Sequence, residues 1–297
     1  MRIVSLLPST TEILFAIGAG DDVVGVTFEC DFPVEARTRQ IVSNTALTPG
    51  LTPAQIDAEV RARVAAGDDL YTLDEGALRT LQPDVVVTQD LCAVCAVDVA
   101  NVDQALEHLG CRAEVVTIDP MTLDEVLESI LTLGKLTGNE HRAAQLEAAA
   151  RERLDRVSAA VTGRPRPRIA MLEWTEPPFS AGHWVPDMVA AAGATCVLGE
   201  RGERSRPIDW ADLTDSNPEL IVVAPCGYGL PGATDLAVTL QGTGRLPSAV
   251  DLWAVDADAA FVRPGPRLID GVETLAAIAH PDAVRARPDL ATRIGAR

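Results

Sequence analysis

Residues 123 to 161 carry two helical patterns in succession and no strand, and the segments on either side of this stretch repeat each other. The first pattern places Val126, Leu127, Ile130, Leu131 and Leu133 on one stripe. Thr137-Gly138-Asn139 interrupts it, and residues 140 to 161 continue as a polar, Ala-rich helix that Gly163-Arg164-Pro165-Arg166-Pro167 stops. A helix of that length is roughly 33 Å long. Before it, Arg2-Ile3-Val4 opens a strand, Phe15-Ala16-Ile17-Gly18-Ala19 closes a helix and Pro83-Asp84-Val85-Val86-Val87 opens another strand. After it, Arg168-Ile169-Ala170, Val189-Ala190-Ala191-Ala192-Gly193-Ala194 and Pro218-Glu219-Leu220-Ile221-Val222-Val223 follow in the same order. The pattern predicts two similar α/β lobes joined by one long backbone helix. Their bounds are 1–121 for the first lobe, 122–163 for the connecting helices and 164–297 for the second lobe.

Within the first lobe, short strands are expected at residues 3–7, 23–26, 85–87 and 113–118. Continuously apolar runs such as Val85-Val86-Val87 suit the inside of a parallel sheet. Helices are expected from Ser9 or Thr10 as cap to residue 17, over residues 53–66, from about Asp74 to Leu81, and over residues 103–109. Alternating strands and helices argue for a parallel sheet with crossovers.

The composition narrows the function. Twenty-five Lys and Arg against 43 Asp and Glu leave a net charge of −18, which repels phosphate backbones and argues against a nucleic-acid partner. No stretch approaches the roughly 18 apolar residues of a membrane span, so membrane insertion is not expected. The N-terminal apolar run is too short for a signal-peptide core and meets Glu12, so the chain as written is expected to stay in the cytoplasm. Six cysteines in 297 residues are too sparse for a disulfide scaffold and are expected as free thiols.

Ligands of open parallel sheets bind beyond the carboxyl ends of the strands. The loops that leave the strands here hold Pro8 and Ser9; Phe28, Glu29, Cys30 and Phe32; Gln89, Asp90, Cys92 and Cys95; Trp174, Glu176, Phe179, His183 and Trp184; and Cys226 and Tyr228. Most of the large aromatics fall in these loops, in a chain with only five Phe, four Trp and two Tyr. Broad apolar faces with few rotors suit a large planar or macrocyclic ligand. The same rings could instead pack lobe against lobe.

Other motifs stay open or fall away. Cys92-x-x-Cys95 could be a redox pair or two small apolar residues in a tight loop, or one of its thiols, or Cys30 or Cys226, could face a metal-centred ligand. No second Cys-x-x-Cys completes a zinc site. His183 could ligate a metal centre or make a hydrogen bond at a helix start. Gly227-Tyr228-Gly229-Leu230-Pro231-Gly232 spells the dinucleotide fingerprint, but Pro231 disturbs the close backbone approach that the motif needs. There is no Gly-x-Ser-x-Gly elbow and no phosphate loop.

Several segments carry a resemblance. Ser5-Leu6-Leu7-Pro8-Ser9-Thr10-Thr11-Glu12-Ile13-Leu14 with Gly18-Ala19-Gly20 resembles the opening of the periplasmic-binding-protein family for cobalamin and iron-siderophores. Thr88-Gln89-Asp90-Leu91-Cys92-Ala93-Val94-Cys95, Glu173-Trp174-Thr175-Glu176-Pro177-Pro178-Phe179, Gly182-His183-Trp184-Val185-Pro186, Ala224-Pro225-Cys226-Gly227 and Arg263-Pro264-Gly265-Pro266-Arg267 are similar to its cobalamin-binding branch. The resemblance spans about residues 2 to 275. It implies two Rossmann-like lobes bridged by one long helix, with a ligand cleft between them and little hinge motion. It also implies a binding protein and not an enzyme, with Phe28, Trp174, Phe179 and Trp184 at the cleft, and it adds Arg263 to the candidate ligand-binding residues.

The expected ligand is a corrinoid such as cobalamin, with haem or a ferric siderophore as alternatives, and no cofactor is required. An importer permease is the expected partner if the chain is exported, and the location is then periplasmic or at the cell surface. The competing expectation is a cytosolic redox or metal enzyme that uses Cys92 and Cys95.

Overall fold

The computed structural model describes residues 1–89, 102, 106, 113–247 and 250–295. The chain divides into two compact units. One comprises Met1–Pro120 with Leu127–Ala148, and the other Met121–Val126 with Ala149–Arg297.

In the first unit six strands form one sheet: β1 (Ile3–Ser5), β2 (Val23–Thr27), β3 (Gln40–Thr45), β4 (Tyr71–Leu73), β5 (Val85–Thr88) and β6 (Glu114–Thr117). Their order is β4-β3-β2-β1-β5-β6, parallel throughout except for the β3–β4 pair. Between them run α1 (Pro8–Ala16), α2 (Pro53–Ala66) and α3 (Glu75–Leu81). Val4, Leu6, Val42, Leu78 and Val86 build the core on one face of the sheet, together with Val102 and Leu106.

Local chemistry sets the helix ends. Helix α2 matches the sequence expectation residue for residue. Thr52 accepts from Gln55 N–H, the Gln55 side chain accepts from Thr52 N–H at 2.9 Å, and Gly67 closes the helix at φ 74°. Helix α3 starts where expected, with the Asp74 side chain as its cap, accepting from Ala77 N–H. Helix α1 corrects the expected cap: it begins at Pro8, Leu7 is the cap residue, and no side chain caps it. Proline supplies the φ of the first turn and has no N–H to satisfy, so the helix starts before Ser9 and Thr10. Thr10 turns its hydroxyl instead to a small buried cluster with Ser5 and Thr11. Ser5 and Thr10 lie 2.7 Å apart, Thr11 donates to Ser5 at 2.8 Å, and Thr11 meets Cys30 Sγ at 3.1 Å.

In the second unit β7 (Arg168–Leu172), β10 (Thr195–Cys196), β11 (Leu220–Val223), β12 (Asp251–Val255) and β13 (Ala291–Ile294) form a sheet ordered β10-β7-β11-β12-β13. Only the β12–β13 pair is antiparallel. The hairpin β8 (Trp174–Thr175) and β9 (Pro178–Phe179) follows β7. Ala170, Leu172, Ile221, Val223 and Ala254 of the sheet pack with Ala233, Ala237 and Leu240.

The two helices of the connecting stretch are α4 (Leu123–Thr137) and α5 (Glu140–Val161), each contributing residues to both units. Helix α5 has the bounds read from the sequence. Further α-helices among the described residues are α6 (Val185–Ala191), α7 (Trp210–Asp215), α8 (Leu230–Gly242), α9 (Ala257–Ala260) and α10 (Leu268–Ala279). Arg153 of α5 donates to Asp270 of α10 at 2.5 Å and to Glu273 at 2.7 and 2.9 Å. The expected helix over residues 103–109 lies outside the described residues, apart from Leu106.

Candidate functional site

In the second unit β7 lies between β10 and β11, so the chain leaves β7 in opposite directions across the sheet. Such a switch point leaves a crevice at the carboxyl ends of the two strands, where ligands of α/β sheets bind. Two of the singled-out loops start there: Glu173 and Trp174 follow β7, and Ala224 to Tyr228 follow β11. The Trp174 and Tyr228 rings lie 5.8 Å apart and tilted by 60°. That tilt is a favourable geometry for aromatic pairs.

Each ring is held by its neighbours. Trp174 Nε1 donates to the Glu176 carbonyl at 3.1 Å, and the β8–β9 pairing sets Phe179 opposite Trp174. Tyr228 lies over the first turn of α8, where a β-carbon on Gly232 would meet its ring at 2.8 Å. This is the use of a glycine that the sequence assigned to a nucleotide-like pattern. Partial burial raises the Tyr228 phenol above its usual range. Gly227 takes φ 82° and donates its N–H to Asp258 at 3.1 Å; Arg263 stands 3.8 Å from the same carboxylate. The site thus presents an aromatic corner edged by an Asp–Arg pair, with Cys226 exposed beside it.

Glu173 is the residue here that sequence reasoning did not single out. Its carboxylate is enclosed, accepts the Gly182 N–H at 2.8 Å, and is bonded by the Ser205 side chain. Burial outweighs both bonds and pushes the carboxyl up to about 7. An acid at the end of an apolar strand, directly before a tryptophan, was the available signal.

His183 has φ 52°, and its backbone pairs with Glu203 and Gly202. Its ring lies 5.5 Å from Trp184, its Nε2 is buried without a hydrogen-bond partner, and burial together with the Arg204 charge lowers its pKa. The helix-start bond considered for this ring is not made through Nε2. Trp184 is only 6% exposed and donates to the Phe261 carbonyl at 2.7 Å, so its indole is a core group.

In the first unit β1 lies between β2 and β5, giving a second switch point. Phe28 and Phe32 are exposed beyond β2, and Phe28 lies 6.4 Å from Tyr71. Glu29 between them is half-buried. Pro8, Ser9 and Cys30 are buried, the latter against Thr11. Gln89 is buried at the end of β5 with its Nε2 unpartnered. Asp90, Cys92 and Cys95 lie outside the described residues. Among the described residues, no group of three or more His, Cys, Asp or Glu side chains is placed to hold a metal ion. No helix among them is long and apolar enough to cross a membrane.

Residues 3–238 match the model of the periplasmic binding protein family. This chain belongs to that family. It is 26% identical over 298 residues to YvrC, an uncharacterized ABC transporter substrate-binding lipoprotein of Bacillus subtilis, covering 96% of this chain and 81% of the lipoprotein. A periplasmic heme binding protein from Pseudomonas aeruginosa superposes with a TM-score of 0.73 at 22% identity, covering 100% of this chain and 98% of the other. The periplasmic vitamin B12 binding protein BtuF of Vibrio cholerae superposes with a TM-score of 0.63 at 21% identity, covering 94% and 97%. The family membership and the α/β fold of two sheets agree with the resemblance read from the sequence.

Proposed function

We propose that this chain is the non-catalytic solute-binding component of an ABC importer, and that its solute is a bulky metal chelate of the corrinoid class. The observation that carries the reading is the Trp174–Tyr228 corner at the carboxyl ends of β7 and β11, edged by Asp258 and Arg263. A corrin or porphyrin offers a broad apolar face to such rings and carries polar groups on its rim. Binding proteins for vitamin B12 and for heme among the structural neighbours support the solute class. The lipoprotein relative supports delivery to a permease from outside the cytoplasm over the cytosolic location expected from the N-terminus.

A thermal-shift and absorbance screen of cobalamin, cobinamide, haemin and a ferric siderophore tests this. A true solute at 100 times its Kd stabilises the protein by about 2.7 kcal/mol and perturbs the chromophore. Absence of both effects for all four removes the reading; a response to haemin or the siderophore alone replaces the corrinoid assignment.

A further inference from the structure

Glu173 joins more separate segments than its position in the sequence suggests. Its N–H donates to the Phe179 carbonyl of β9 at 3.2 Å, and its own carbonyl accepts the Cys226 N–H beyond β11 at 3.2 Å. Its side chain turns to the other side and accepts the Gly182 N–H at 2.8 Å. That loop is packed so closely that a β-carbon on Gly182 would sit 2.1 Å from the Ser205 nitrogen. The Ser205 hydroxyl donates to the Ser180 carbonyl at 2.7 Å and also reaches the Glu173 carboxyl. The same loop contains His183 in the left-handed region. Trp174, next along the chain, inherits its placement from this junction.

We propose that Glu173 is a positioning residue for Trp174: its carboxyl group locks the 180–184 loop and Ser205 to the end of β7, and the gain or loss of one proton there shifts the indole against Tyr228.

A hydroxyl has one proton to give. With Glu173 protonated, its O–H donates to Ser205 Oγ while the Ser205 proton stays on the Ser180 carbonyl, and every group is paired. With Glu173 ionised, the Ser205 proton is drawn to the carboxylate and the Ser180 carbonyl loses its partner. The loop therefore has two bonding arrangements that differ by one proton. Burial brings the exchange to about pH 7.

The other titratable groups nearby stay out of this exchange. Cys196 of β10 is pushed up to about 11 by burial and by the Glu173 charge. Burial, and then the Arg204 charge, lower the His183 pKa, away from the neutral range in which Glu173 exchanges its proton. Glu203, Arg204 and Arg206 are exposed on the segment around Ser205. The importance of the shift for binding rests on the reading of the Trp174–Tyr228 corner as part of the solute site. The movement of the indole does not, so it is read without a solute.

The test is the tryptophan emission of the solute-free protein, titrated from about pH 5 to about pH 9. Wild type shows one transition with its midpoint at about 7. Glu173→Gln and Trp174→Phe both abolish it, while far-UV circular dichroism shows both folded. Ser205→Ala removes a donor to the charged form and raises the midpoint by about one pH unit. A flat wild-type curve overturns the proposal. So does a transition that survives in Glu173→Gln or Trp174→Phe, or an unchanged midpoint in Ser205→Ala.

Discussion

Gly134 of α4 lies so close to Ala143 of α5 that a β-carbon at position 134 would stand 2.3 Å from the Ala143 β-carbon. The turn at Gly138, with φ 68°, folds the second helix back along the first, and the missing side chain lets the two backbones approach. Gly134→Val is therefore expected to destabilise the protein by about 2 kcal/mol through overpacking, despite the usual gain from replacing a helical glycine. Urea unfolding checks this; an unchanged midpoint would show that the helices part without cost.

Stability should also depend on Glu173. Its carboxyl is raised by burial from 4.5 to about 7, so the folded state holds a proton that the unfolded chain has released. This contribution is fully present below about pH 4.5 and is lost as the pH rises through about 7. It amounts to roughly 3 kcal/mol at most, because the residue as a whole keeps some surface in contact with water. Asp282 and Asp289 act in the opposite sense: Arg164 and Arg287 lower their pKa values, and their contribution disappears only in acid. In denaturant titrations Glu173→Gln should remove the decline between weakly acidic and neutral pH.

Arg153 holds Asp270 and Glu273 from one guanidinium, and Arg287 adds a second cation at 3.2 Å from Asp270. These groups are about a quarter exposed, so solvent screens them in part. Arg153→Ala should cost about 1–2 kcal/mol, since it leaves two carboxylates to one remaining arginine. The loss should shrink in high salt, which melting curves at two ionic strengths would detect.

The aromatic corner gives a prediction for binding. Trp174→Ala and Tyr228→Ala should each weaken a solute found in the screen by about tenfold, the effect of removing roughly 1.4 kcal/mol of ring contact. Gly232→Ala should do so indirectly, because its β-carbon meets the Tyr228 ring at 2.8 Å. Isothermal titration with all three variants tests this, and full affinity in Trp174→Ala would place the solute elsewhere.

Much of the fold was legible where local chemistry and hydrophobic pattern agree. Helix α5 ends where Gly163 and two prolines forbid continuation, and α2 sits between a capping box and a left-handed glycine. Strand β3 was missed because its two buried residues, Val42 and Ser43, are flanked by exposed ones, and β4 pairs with it without a fully buried residue. Helix α10 is buried on nearly every side, and its only acidic residues, Asp270 and Glu273, leave a polar strip too narrow to mark a period. The site followed a similar division. Trp174 and Tyr228 stand out because aromatic residues are scarce and both leave strands. Glu173 is one of 43 acids, and its place between an apolar strand and a tryptophan is a faint signal beside the three-dimensional enclosure of its carboxyl. Trp184 shares the motif of its neighbours, yet its side chain is claimed by the core.

The way α4 and α5 are shared carries a consequence for biogenesis. Residues 127–148 complete the first unit, but residues 121–126 belong to the second. No single scission of the polypeptide separates the two cleanly. During synthesis the first unit must wait for Ala148 to emerge before it is whole, by which time six residues that belong to its successor have already been made. Neither unit is a free-standing cassette, and a duplication or swap of one would have to carry part of the other with it.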